Sequence, residues 1–230
     1  HFTDRRQRQM CIRDRNHMDN DTIAKQVYNE LRCLHNLGFN NWFSKASNLL
    51  NHYNLNFCHD QNIFKITAKL TVEDKFKRDW FNSIHDSTSN PIARTYKDFK
   101  LTFGTEKYLI AINDFKMRRS LTKLRTSTHD LLIETGRHKK QKTDITERKC
   151  KTCHQLEDEL HFTIQCHINN DERKILFDKL GCGDLVNTVS QTDLFCYLMN
   201  LQSRCHLKHL ANFVNNSFYK RKIVVDGQVN

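Results

Sequence analysis

Proline occurs once and glycine six times in 230 residues. That supply of turn residues is too small for the many reversals of an all-β fold, so helices are expected to dominate. No apolar run has the length needed to cross a bilayer, and no signal-type apolar segment is present, so the chain is expected neither to span a membrane nor to be secreted. Nine cysteines are odd in number and widely scattered, which fits a reducing interior, nuclear and cytoplasmic, better than a disulfide framework. On that reading Cys33, Cys58, Cys182, Cys196 and Cys205 serve as small core residues. There is no Walker-type Gly-Lys-Ser/Thr, no glycine-rich nucleotide loop and no repeat of fixed period. Hydrophobic residues make up 38% of the chain and the mean hydropathy is -0.72. These values predict an open arrangement of helices, or a piece that leans on a larger body.

Positive charge is what the chain has in excess. Thirty-seven Lys and Arg against twenty-six Asp and Glu give a formal +11 and a pI near 9.3, which points to a polyanionic partner, nucleic acid first.

Residues 1–19 have no apolar period and resemble translated sequencing-adapter sequence, with a basic nucleic-acid arm as the functional alternative. Residues 20–90 form a helical region. Ile23, Val27, Leu31 and Leu34, with Tyr28 alongside, make one stripe that Gly38 can stop, and Trp42, Ala46, Leu49 and Tyr53 make a second, predicting an antiparallel hairpin. Asp60 to Ile84 reads as one long or broken helix, and Asp86 to Asn90 with Pro91 marks a boundary. Residues 91–141 carry a short helix from Ile92 to Phe99, an apolar cluster from Tyr108 to Ile112 that fits helix or strand, and a face of Met117, Leu121, Leu124, Thr128 and Leu131. That last spacing predicts one continuous helix. Its flanks hold Lys116, Arg118, Arg119, Lys123 and Arg125, a basic ridge for phosphate contact. Gly136 is expected to end the helix and open a loop in which Arg137, Lys139, Lys140 and Lys142 follow a phosphate backbone. Residues 183–222 read as a helical pair finished by the cations Lys220, Arg221 and Lys222, and residues 223–230 as a frayed tail.

Residues 142–182 hold the pattern that demands a chemical explanation: Cys150-x2-Cys153-x7-His161-x4-Cys166. Two thiols two residues apart can close on one tetrahedral ion from a tight turn, and a His and a Cys five apart can return two more ligands from a short helix. The site is read as a structural zinc bound by Cys150, Cys153, His161 and Cys166. His154 and His167 stand beside ligand cysteines as substitutes. The acidic segment Glu157-Asp158-Glu159 suits the start of a helix carrying His161. Beyond Cys166, Ile175, Leu176, Phe177 and Leu180 suggest a further helix closed by Gly181 and Gly183. The fold class is therefore mainly α, with helical hairpins flanking a small Cys3His zinc-binding element.

The spacing resembles the Cys-x2-Cys-x7-His-x4-Cys element near the carboxyl end of the reverse transcriptases of non-LTR (LINE-type) retrotransposons. Retroviral-type zinc knuckles keep four residues where this chain has seven. The run Leu121-Thr122-Lys123-Leu124-Arg125-Thr126-Ser127-Thr128-His129 is similar to that family's LxKLRxSxH words, followed by Glu134-Thr135-Gly136-Arg137 and by Glu157-Asp158-Glu159-x-His161-Phe162. The resemblance spans about residues 91–173 and implies the post-polymerase tail of such a protein, holding template RNA and target DNA, with the parent's polymerase domain as a further partner. Of the basic candidates it reaches only Arg125 and Arg137 directly. The polymerase's paired aspartates are missing, as is the Pro-Asp of the endonuclease that some relatives carry, so no catalytic centre is expected here. The alternative is a helical protein-interaction module or a decayed fragment.

Overall fold

Thr22, Asn41, Asp114 and Ser190 each turn a side-chain oxygen back onto the backbone of a following helix, satisfying amides that would otherwise lack partners. These caps start four of the helices in a computed structural model that describes residues 18–56, 61–86, 94–138 and 141–227. Among the described residues there is no strand, and β-type pairing is limited to an isolated bridge between Lys149 and Leu156. The mainly helical fold class expected from the sequence is the one observed. The helices are α1 (Ile23–Asn36), α2 (Trp42–His52), α3 (Gln61–His85), α4 (Tyr96–Phe99), α5 (Lys107–Ala111), α6 (Phe115–Arg125), α7 (Leu132–His138), α8 (Asn170–Leu180), α9 (Gly183–Thr188), α10 (Gln191–Met199) and α11 (Arg204–Gly227). The chain divides into two compact units, 1–79 and 80–230, with the division falling inside α3. Pro91 and residues 87–90, the boundary expected from composition, lie outside the described residues, as do residues 1–17, Cys58, Lys139 and Lys140.

In the first unit α1 and α2 form the expected hairpin, but its seam differs from the expected one. Tyr28 is buried edge-on to Phe43 at 5.4 Å between ring centroids. Ser44 pairs with His35 at 2.9 Å, and Asn41 donates to the Leu31 carbonyl. Of the predicted stripes, Ile23, Val27, Leu34, Trp42 and Leu49 remain exposed, while Leu31, Ala46 and Tyr53 are half-buried. A short aromatic and polar seam thus closes the hairpin in place of two full apolar stripes.

The second unit is built around α11, which packs on α6, α8 and α5. Leu121, Leu124, Leu210, Ala211 and Val214 are wholly buried in this core. α10 packs instead on α4 and on the turn carrying His161, with Phe99 against Phe195, so the two last helices do not pair mainly with each other. α11 also continues through Lys220, Arg221 and Lys222 to Gly227; these are mid-helix cations, and Val224 does not fray. Cys182 is buried as expected of a core residue, whereas Cys33 and Cys205 are exposed and Cys196 is half-buried.

The predicted continuous helix through Leu131 is broken. α6 stops at Arg125, the Thr126 hydroxyl bonds back to Thr122, and Ser127 takes a positive φ of 50°. Local hydroxyl bonding competes with the helix here, and a buried carboxylate completes the break. Glu159 accepts from Ser127 Oγ at 2.5 Å, His129 Nε2 at 2.9 Å and Arg94 Nη2 at 2.6 Å. Arg94 also reaches Glu134, which binds Arg137 in turn. Two residues earlier Glu157 accepts the Leu132 amide at 2.8 Å, capping α7 from a distance, and takes both arms of Arg221. The acidic segment therefore works as a buried receiver of cations. Gly136 lies inside α7 and does not end it. A Cβ there would stand 3.0 Å from the Arg148 side chain, which is held by the carbonyls of Ile133 and Thr143.

Burial pushes the Glu159 carboxyl up, but the hydrogen bond and charge of His129 and the charge of Arg94 outweigh it and hold the group down at about 2. A carboxylate depressed below its unfolded value of about 4.3 gives stability that is complete above that value and lost as pH falls toward the folded one. Replacing Glu159 by Gln should cost about 3–5 kcal/mol near neutrality, because it removes the buried anion that Arg94, Ser127 and His129 all bond. In urea denaturation the gap between parent and variant should narrow progressively from about pH 5 to pH 2. A gap independent of pH would show that the charge of Glu159 is not what stabilises the break.

Candidate metal centre

A short hairpin presents the first two thiols. The Cys150 amide donates to the Gln155 carbonyl at 2.7 Å and the Glu157 amide to that of Arg148 at 2.9 Å. Between these bonds the chain turns tightly, with the His154 amide on the Cys150 carbonyl and His154 itself at φ 58°. The turn directs the amides of Thr152 and Cys153 at the Cys150 sulfur. Cys166 receives the amide of Ile168 in the same way. Amide donors aimed at sulfur favour the thiolate, the form a metal requires.

His161 and Cys166 come from one widened helical turn, His161–Gln165, in which the Cys166 amide reaches the His161 carbonyl at 2.7 Å. Such π turns are frequent at functional sites. The Asp158 carboxylate accepts the His161 amide at 2.7 Å and starts the turn. The ligand atoms of Cys150, Cys153, His161 and Cys166 all lie within 4.8 Å of one another. Cys153 and Cys166 approach to 3.7 Å between sulfurs. The four residues predicted as ligands are brought together, and they form a group that can hold a metal ion.

Two features test the fit. His161 Nε2 is buried without a hydrogen-bond partner, while Nδ1 faces the Gln165 side-chain oxygen at 3.3 Å. That division leaves one nitrogen for a ligand bond and uses the other to orient the ring. The sulfurs also crowd one another. The bond from Cys166 drives the Cys150 thiol down, against burial, and the turn amides assist. Cys166 is pushed up in return. Protons held between converging sulfurs are what a divalent cation displaces on binding.

Outer residues hold this arrangement. Arg173 is buried and donates to the carbonyls of Thr163 at 2.9 Å and Cys166 at 2.7 Å. Asn169 donates to the Phe162 carbonyl at 3.0 Å, and Phe162 stacks on Phe218 of α11 at 4.6 Å. The element is thus embedded in the second unit's core and does not stand apart as residues 142–182. His154 is exposed. His167 sets Nδ1 at 3.0 Å from the Cys153 sulfur, next to the four-residue group. Sequence reasoning missed Arg173 and Glu159 as supports, although both fall within the motif run.

The basic candidates separate. Arg119 and Lys142 are exposed, and Lys123 is half-exposed with Asp130 at 4.0 Å. Arg118 is half-buried and donates to the Ile112 carbonyl. Arg125 is withdrawn from the contact set: at 3% exposure it bonds the Met199 carbonyl and Glu106, with Phe99 and Tyr108 against its guanidinium. Arg137 is engaged with Glu134. Both residues that the resemblance supports directly as contacts are therefore used inside the fold. Lys139 and Lys140 lie outside the described residues. No protein-family model, curated protein or solved structure matches this chain.

Replacing Arg173 by Met keeps all four ligands but removes the bonds that fix the Cys166 segment. It should weaken divalent-metal affinity about 10- to 100-fold in a chelator competition. His154→Ala should leave that affinity unchanged. Equal losses in the two variants would argue against Cys150, Cys153, His161 and Cys166 as the complete ligand set.

Proposed function

We propose that this chain is the nucleic-acid-binding, post-polymerase tail of a LINE-type reverse transcriptase, and that its metal is a structural zinc. The observation that carries the reading is the convergence of Cys150, Cys153, His161 and Cys166, while Ser127, His129, Glu134, Glu157 and Glu159 of the resembling run are engaged in bonds within the second unit. Three sulfurs and an imidazole favour zinc over harder cations. Four protein ligands leave no position for a reacting water, so the metal organises and does not catalyse. The net charge of +11 and exposed Arg119 and Lys142 supply phosphate contacts to template RNA and target DNA, a role exercised inside the cell in nucleus and cytoplasm.

A second reading, a helical protein-interaction module, is favoured by one feature of the first unit. Ile23, Leu49, Ile66 and Leu70 are all more than half exposed. In that case the partner is protein, such as the polymerase domain of the parent polypeptide. Among the described residues no helix is long and apolar enough to cross a membrane.

Purified protein should contain zinc, and Cys150→Ser with Cys153→Ser should abolish it and lower the melting temperature. Reversing Arg119 and Lys142 to Glu should weaken retention on RNA and DNA and flatten its dependence on salt, each lost phosphate contact reducing the slope by about 1. Salt-insensitive binding unaffected by these reversals would favour the protein-interaction reading.

A further inference from the structure

Away from the metal, the second unit carries two adjoining cavities. One, of about 560 Å³, lies between α6, α7 and α11 and is lined by Lys123, Phe218, Tyr219 and Lys222 among others. The other, of about 440 Å³, runs along α7 past Thr128, Arg137 and His138. They share His129, Asp130 and Thr135, so together they make one open trough. It leads from the last turns of α11 across the 127–130 turn to the end of α7, from which the chain continues to Lys142.

The charges along it are unequally engaged. Arg221 is held by Glu157, His129 by Glu159 and Arg137 by Glu134. These three are internal braces. Lys222 is exposed at the rim, and Lys123 faces only a loose contact with Asp130 at 4.0 Å. Tyr219 shares the lining with them and has 68% of its surface exposed, an unusual position for a ring on the helix that organises the core. Ser120 donates to Asn215 at 3.0 Å across α6 and α11, and Phe218 is stacked on Phe162. Neighbouring side chains are therefore committed to the fold, and Tyr219 is not.

An exposed aromatic ring beside two lysines in a polar trough fits a polyanion whose planar groups are accessible. A duplex hides its base faces in the stack and presents a convex backbone. A single strand can lay a base on the ring and its phosphates on the lysines. We infer that this trough seats single-stranded nucleic acid, one base stacking on Tyr219 with flanking phosphates at Lys222 and Lys123. The inference rests on the nucleic-acid reading and narrows it to an unpaired strand. Asp130 is the misplaced charge in such a seat and opposes the strand.

The test uses the full chain with its metal, and fluorescent single-stranded RNA and DNA of about twelve nucleotides, within the range an aromatic groove covers, against a duplex of the same length. Tyr219→Ala should weaken single-strand binding roughly tenfold and leave duplex binding unchanged, while Tyr219→Phe should bind as the parent does. Lys222→Glu should weaken single-strand binding, and Asp130→Asn should strengthen it severalfold at low salt. Circular dichroism should report unchanged helix in each variant, as their exposed positions require. If the parent binds oligonucleotides but Tyr219→Ala and Asp130→Asn leave single-strand affinity unchanged, or shift single-strand and duplex affinity alike, the trough is not the seat and the broader reading survives. If the parent binds no oligonucleotide at low salt, both fail.

Discussion

One carboxylate with no exposed surface, Glu159, receives Arg94, Ser127 and His129 at once. A buried anion of this kind costs several kcal/mol unless it is fully partnered, and is then strongly destabilising to disturb. Its partners come from two separate stretches of chain, around Arg94 and in the 127–130 turn, so satisfying it fixes the place of each. Glu157 makes the same kind of contact two residues earlier, with the α7 amide and Arg221 of α11. The metal-ligand turn follows directly, and its orientation is inherited from these two anchors.

This explains how ligands separated by up to sixteen positions can converge in a chain with so little turn chemistry. The hairpin from Arg148 to Glu157 is short and closed by backbone bonds at both sides of the cysteines. The widened turn that carries His161 is held by Asp158, Asn169 and Arg173. Each half is shaped locally, but the distance between halves is set by Phe162 on Phe218 and by the acidic anchors. A cation bound there would add to an element already braced by the core, rather than create it from a disordered segment.

The same economy governs the positive charge. Arg94, Arg125, Arg137, Arg148, Arg173 and Arg221 are all tied to carboxylates or carbonyls within the second unit. The planar guanidinium fork suits such internal bracing. Lysines are left more often at the surface, with Lys123, Lys142 and Lys222 among them. A count of basic residues therefore overstates the charge available to a polyanion and misplaces it, since a run such as Lys123-Leu124-Arg125 divides between surface and core.

The helical class, the Cys3His group and the left-handed stop at Gly181 were legible in the chain, because each depends on spacing and residue type within a few positions. What contact over long separations decides was not. α6 ends at Arg125 because Ser127 and His129 bond to a carboxylate thirty residues on, which outweighs the apolar period running through Leu131. Gly136 sits inside a helix because Arg148 passes over it, and Arg125 is a core residue because Glu106 and the Met199 carbonyl meet it there. Local pattern by itself determined the Cys3His group and most helices; only the tertiary structure decided which charges face solvent, since burying a cation requires an anion or carbonyl that the neighbouring sequence does not contain.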